Sequence, residues 1–207
     1  AAGFVTQYQY DAFGNVVSLT RYAQAISYNG AGDVGSLIKT SDQDRIIKQS
    51  YDKLGRLTRK DIGRGQVTSY QYDSFNNQVA SYNGKGELLS FNAYNQLNQK
   101  IATINGLGYL TTFQYDAFGN VIDEVAYANA ISQDDVAHLT TKPYTMPQSA
   151  ASIVHPLSQD LQTGHDRHIS FSYDALNRKT SVTRHDVWYA HQLANDPRFF
   201  WQLADIT

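Results

Sequence analysis

One six-residue pattern recurs six times in this chain, and it limits the fold more than any other feature. The copies are Tyr10-Asp11-Ala12-Phe13-Gly14-Asn15, Tyr51-Asp52-Lys53-Leu54-Gly55-Arg56, Tyr72-Asp73-Ser74-Phe75-Asn76-Asn77, Phe91-Asn92-Ala93-Tyr94-Asn95-Gln96, Tyr115-Asp116-Ala117-Phe118-Gly119-Asn120 and Tyr173-Asp174-Ala175-Leu176-Asn177-Arg178. The shared form is aromatic, Asp or Asn, any residue, large apolar, Gly or Asn, then Asn, Arg or Gln. A carboxylate or amide in second place accepts a backbone N–H two residues on and opens a type I turn. The fifth place then requires positive φ, which Gly adopts freely and Asn tolerates best among the rest. A type I turn closed by a left-handed residue is a hairpin loop with a bulge. Each copy therefore predicts a β-hairpin turn, with the apolar fourth residue folded back under the loop.

Before the turns stand alternating segments such as Tyr8-Gln9-Tyr10, Tyr70-Gln71-Tyr72, Phe113-Gln114-Tyr115 and Phe171-Ser172-Tyr173, and after them Val16 to Thr20, Leu57 to Arg59 and Val121 to Asp123. A period of two sets both aromatics on one strand face. The 15 Tyr and 9 Phe suit pleated, half-buried surfaces. Successive motifs from Tyr51 lie 21, 19 and 24 residues apart, enough for two strands and their connections. One hairpin cannot bury its own face, so the expectation is an all-β array of stacked antiparallel hairpins forming a curved strip. Aromatics are expected to pack across neighbouring strands.

A longer period overlies the short one. Tyr10 and Tyr22 to Ser27 map onto Tyr115 and Tyr127 to Ser132 at an offset of 105, whereas Asp44-Arg45 and Tyr51-Asp52 map onto Asp166-Arg167 and Tyr173-Asp174 at an offset of 122. This divides the chain, read as a single segment 1–207, into a first long unit 6–125 and a second 109–191 that carries an insert at 133–165. The insert holds Pro143, Pro147 and Pro156 and reads as structureless. Asp196-Pro197 reads as a cap and first turn, predicting a short C-terminal helix over 195–205. The start at Ala1-Ala2-Gly3 and the stop at Thr207 read as cuts from a longer polypeptide, and the exposed edge near Val5 to Tyr10 predicts self-association through edge strands.

The Tyr-Asp-x-x-Gly-Asn/Arg signature and its spacing near 20 residues resemble the YD or Rhs repeats of bacterial toxin-delivery proteins and teneurin-like cell-surface proteins. The resemblance covers about Thr6 to Arg184. It implies a sheet strip that spirals into a hollow shell around a toxic C-terminal segment, as in the B and C components of insecticidal toxin complexes, and hence a secreted or cell-surface location. The implied partners are neighbouring repeats or a shell subunit, and the enclosed cargo. It brings no catalytic residue, because the self-cleaving aspartyl protease segment of such shells is not recognisable here.

Other chemistry is weakly signalled. A net charge of −2 gives no field for nucleic acid, and no apolar run is long enough to cross a bilayer. With no Cys, thiolate metal sites and disulfides are excluded. All six histidines lie between His138 and His191, but His165-Asp166-x-His168 and His185-Asp186 lack a completing ligand set, so neither metal nor cofactor is expected. Gly30-Ala31-Gly32 and Gly63-Arg64-Gly65 read as turns, not phosphate loops. No nucleophile motif is present and no enzyme is expected. The Tyr ladders leave a glycan-binding adhesin segment as the alternative. The residues singled out are those of the turn motif: Tyr10, Asp11, Gly14, Tyr51, Asp52, Gly55, Tyr72, Asp73, Asn76, Tyr115, Asp116, Gly119, Tyr173, Asp174 and Asn177.

Overall fold

The computed structural model describes residues 2–140, 166–192 and 199–206. The described chain is mostly antiparallel β-structure. Its described strands are β1 (Ala2–Gly3), β2 (Thr6–Tyr10), β3 (Val16–Arg21), β4 (Ile26–Ser27), β5 (Arg45–Tyr51), β6 (Leu57–Asp61), β7 (Val67–Tyr72), β8 (Gln78–Asn83), β9 (Leu88–Tyr94), β10 (Lys100–Asn105), β11 (Tyr109–Tyr115), β12 (Val121–Ala130), β13 (Arg167–Tyr173), β14 (Lys179–Gln192) and β15 (Phe199–Ile206), with a short 3-10 helix (Val34–Leu37) between β4 and β5 and, among the described residues, one α-helix, α1 (Gln133–Thr140), between β12 and β13.

Two compact units divide the chain: Ala1–Tyr72 with Ser81–Leu89, and Asp73–Ala80 with Ser90–Thr207. In the first, β2, β3, β5, β6 and β7 pair in that order, while β1 and β4 make a separate ribbon. In the second, β9 to β15 pair each with the next. Register shifts fall at the motif tyrosines, as between Gln9 and Tyr10, Ser50 and Tyr51, Gln114 and Tyr115, and Ser172 and Tyr173, so the bulge belongs to the loop chemistry.

The apolar core lies in the second unit: Val79, Ala80, Phe91, Ala93, Ile101, Ala102, Ile104, Leu110, Ile131 and Val136 are buried, with Ile104 and Leu110 facing each other across β10 and β11. In the first unit β2 is exposed along its whole length.

Two expectations are corrected. The C-terminal helix is absent over its described part, because Phe199–Ile206 is strand β15, paired from Gln192↔Phe199 to Arg184↔Ile206. A capping signal sets only local preference, whereas the 14-residue β14 offers a full ladder to the aromatic-rich run Phe199-Phe200-Trp201, and pairing wins. Asp196 and Pro197 themselves lie outside the described residues. The insert is not structureless at its start, since α1 occupies Gln133–Thr140; Ser132 caps it, its hydroxyl accepting Asp135 N–H at 3.1 Å and donating to the Asp135 carboxylate at 2.7 Å. Ser-x-x-Asp was the overlooked signal. Positions 141–165 lie outside the described residues.

Candidate functional site

The turn motifs are the chain's built sites, and each is a clamp of hydrogen bonds around one carboxylate or amide. In the first, Asp11 Oδ1 accepts the N–H groups of Phe13 and Asn15, both at 2.9 Å, and Oδ2 accepts the Asn15 side-chain amide at 2.9 Å. Asp73 does the same with Phe75 and Asn77, and Asp116 with Phe118 and Asn120. Where the sixth residue is arginine, its Nε replaces the amide: Arg56 on Asp52 and Arg178 on Asp174, each at 2.7 Å. The fifth residue carries the positive φ: 84° at Gly14, 75° at Gly55, 70° at Asn76, 87° at Gly119 and 58° at Asn177.

The fourth motif sits three residues later than its sequence pattern suggested. Phe91-Asn92-Ala93 is strand, and the loop is Asn95-Gln96-Leu97-Asn98-Gln99: Asn95 Oδ1 accepts Leu97 N–H at 2.9 Å and Gln99 N–H at 3.0 Å, and Asn98 has φ 60°. Tyr94 is therefore its aromatic first place. Here the polarity of the clamp reverses, the Asn95 amide donating to Gln99 Oε1 at 2.7 Å. Two turns on the opposite side use the same chemistry without a Tyr-Asp signature: Asn83 holds Lys85 and Glu87, and Asn105 holds Leu107 and Tyr109. Asp is matched with donors, Asn15, Arg56, Asn77, Asn120 and Arg178; Asn83 and Asn95 are matched with the acceptors Glu87 and Gln99. The sixth place, given no role from sequence, is the other half of the clamp.

The motif tyrosine has a second, unforeseen task. Its hydroxyl donates to the backbone carbonyl of the first residue after the preceding motif loop: Tyr51 to Val16 at 3.1 Å, Tyr72 to Leu57 at 2.9 Å, Tyr94 to Gln78 at 3.3 Å, Tyr115 to Lys100 at 2.8 Å and Tyr173 to Val121 at 2.9 Å. Each hairpin is thus tied to the one before it by a strut worth roughly 1 kcal/mol. Burial pushes the Tyr72, Tyr94 and Tyr115 hydroxyls above their ordinary range, which keeps them protonated as donors. Tyr10 has no such strut; it stacks on Tyr8 at 6.4 Å and is 61 % exposed. Aromatic faces also carry cations, with Arg56 over Tyr72 at 4.8 Å and Lys179 over Phe171 at 4.0 Å.

The necks of the two long connections are closed alike. Asp44 Oδ1 accepts Ala23 N–H and Asp166 Oδ1 accepts Ala128 N–H, both at 2.8 Å, at positions related by the long period.

The apolar fourth residues do not fold under their loops. Phe13, Leu54, Phe75, Phe118 and Leu176, with Leu97 in the corrected fourth motif, are exposed, because the clamp binds the residue's own N–H and points the loop tip away from the sheet.

The contacts of His168 and His185 do not line up as a Ser-His-Asp relay. His168 Nε2 lies 2.5 Å from Asp123 Oδ1, while the serine contact belongs to a different ring, His185 Nε2 to Ser170 Oγ at 2.8 Å, the two rings stacking at 4.2 Å. Ser170 sits within β13, between its partners Asp123 and Thr183, where backbone N–H groups serve the ladders. His165 lies outside the described residues, and among those described no group of three or more His, Asp or Glu is placed to hold a metal. No described helix is long and apolar enough to cross a membrane. An open groove of about 500 Å³ in the first unit is lined by Lys60, Thr68, Tyr70, Lys85, Glu87 and Leu89, among others.

The carboxylates make the clamps acid-sensitive. Hydrogen bonds from the Asn15 and Asn120 amides hold Asp11 and Asp116 below the ordinary value of 3.8, and the Arg56 and Arg178 backbone N–H groups do so for Asp52 and Asp174. A carboxyl whose folded value is depressed stabilises the fold above its unfolded value and loses that contribution as pH falls through the folded one. The urea midpoint should therefore fall between about pH 5 and pH 2. Replacing Asp11 and Asp116 by Asn, whose partners Asn15 and Asn120 can turn a carbonyl toward the new amide, should leave a folded chain with a flatter acid limb. An unchanged limb would remove Asp11 and Asp116 as its cause.

Clamped loops, bulged strands and tyrosine struts, repeated hairpin after hairpin, define an antiparallel β-repeat protein. Within it, residues 51–88 match the RHS Repeat family. No curated protein matches the chain. Among solved structures, the Tc holotoxin pore of Photorhabdus luminescens with a substituted TccC3 is similar over 88 % of this chain at 15 % identity and a TM-score of 0.60. The complex TcdB2-TccC3-TEV is similar over 87 % at 15 % identity and a TM-score of 0.46. The chain spans only 8 % and 9 % of those two chains.

Proposed function

We propose that this chain is a structural segment of a secreted RHS-repeat protein, contributing to a β-sheet shell that encloses and delivers a C-terminal toxin. The observation that carries the reading is the strut series: five motif tyrosines fasten hairpin to hairpin by one geometry, so the repeated chemistry is spent on building a wall. The likeness in fold to a Tc holotoxin chain supports it. Its partners would be neighbouring repeats, a shell subunit and the cargo, with no metal, cofactor or intrinsic hydrolysis.

Limited proteolysis of the parent polypeptide tests this. A C-terminal segment that resists protease until the shell is denatured is the expected result; digestion at the rate of the free segment would refute enclosure. The glycan-binding alternative would use the groove beside Tyr70. Binding to a glycan array, abolished by Tyr70→Ala, would favour it over the shell.

A further inference from the structure

We infer that the loop tips of the second unit, Phe75, Leu97, Phe118 and Leu176, form an apolar comb that docks against the same comb on a second copy of this repeat run. These residues are 59 %, 77 %, 80 % and 72 % exposed. Turn chemistry does not require them to be apolar, since the equivalent place in the opposite turns holds Gly63, Lys85 or Leu107. All six motif loops nevertheless place Phe or Leu there.

The comb is rigid before it meets a partner. The N–H of each tip is held at 2.9 Å by its own clamp, and neighbouring loops are linked by Asn77 to Asn98 at 3.1 Å and Asn120 to Asn177 at 3.0 Å. Association therefore orders little that is not already ordered. At about 200 Å² per aromatic side chain, Phe75 and Phe118 together expose on the order of 280 Å², and the two leucines bring the row to roughly 500 Å². That exceeds the scatter of apolar groups on a monomer surface and supplies much of the approximately 800 Å² per partner of a standard interface.

Period selects the occupant. Loops on one side of an antiparallel array lie two strands apart, about 9.5 Å, so a partner must repeat apolar groups at that interval to meet every tooth. A second copy does so, and a two-fold arrangement sets the teeth of each comb into the gaps of the other. A lipid surface has no such period, and Asp73, Asp116 and Asp174 place a carboxylate beside three of the four tips. The inference deepens the shell reading, but its test reads assembly and not cargo protection, so the two can fail separately.

Sedimentation velocity of the chain from roughly 10 μM to 1 mM should show a reversible dimer. Replacing the four tips together by Ser should weaken it at least tenfold with an unchanged circular dichroism spectrum, because the side chains removed are exposed. Thr6→Pro should leave the dimer intact. Tyr22 N–H bonds to the Val5 carbonyl, so alternation along the pair turns Thr6 N–H to the free side of β2, and its loss blocks edge pairing without touching β3. If the fourfold variant misfolds, Phe118→Lys alone must weaken the dimer. A monomer throughout, a dimer lost to Thr6→Pro but kept by the tip variants, or flotation of the chain with phosphatidylcholine vesicles would each overturn the proposal.

Discussion

Gly108→Ala should destabilise the second unit by about 3 kcal/mol or more, whereas Gly86→Ala should cost about 1 kcal/mol, although both glycines stand in clamped turns at nearly the same φ, 88° and 84°. Left-handed strain is common to the two. What differs is space: a Cβ on Gly86 meets nothing within 4 Å, while one on Gly108 falls 2.8 Å from the Ile131 carbonyl oxygen. That oxygen is backbone, so it cannot swing aside. The same contact carries the hydrogen bond from Ile131 N–H to the Gly108 carbonyl at 3.0 Å, and Ile131 is 2 % exposed where the long insert departs. Relieving the clash therefore means lifting the start of the insert from the β10–β11 turn and uncovering a core residue. Urea unfolding of the two variants gives the comparison; equal losses would show that Ile131 yields without cost and that the turn does not anchor the insert.

Fold class was legible because it rests on local facts. The alternation in Tyr8-Gln9-Tyr10 or Phe171-Ser172-Tyr173 needs no distant partner to be read as a strand, and β2 and β13 cover these residues. Errors began where a local signal had two readings. Aromatic-Asn occurs at Phe91-Asn92 and again at Tyr94-Asn95, and only the hydrogen bonds of Asn95 decide which opens the loop. Asn83 and Asn105 lacked the Tyr-Asp signature and were passed over, though Asn-x-x-Gly was present at both. Hydrophobicity alone placed Phe13 and Leu54 beneath their loops, yet the clamp turns those tips outward. The strut was invisible for another reason: Phe and Tyr satisfy alternation equally, and a hydroxyl becomes informative only when a carbonyl of the neighbouring hairpin is 2.8 to 3.3 Å away. At β15 a capping signal was outcompeted by a ladder that no local window contains.

The other large effect should come from the centre of the core. Leu110 and Ile104 are both 0 % exposed and stand directly opposite each other across β10 and β11, with Ala102 and Thr112, both buried, as the next pair on the same face. Truncating a fully buried leucine removes its transfer free energy and leaves a cavity that strands locked in register on both sides cannot collapse, so Leu110→Ala should cost about 3 kcal/mol. Ile104→Val, which removes one methylene, should cost about 1 kcal/mol. The two side chains border one space, so the double variant should depart from the sum by at least roughly 0.5 kcal/mol. Repeat arrays distribute stability among neighbours, and a residue of average importance would cost little. The second unit holds the buried apolar side chains of the described chain, so Leu110 is not average there. A loss below about 1 kcal/mol in urea unfolding would mean that the core lies elsewhere and that the sheet stands chiefly on its ladders, clamps and struts.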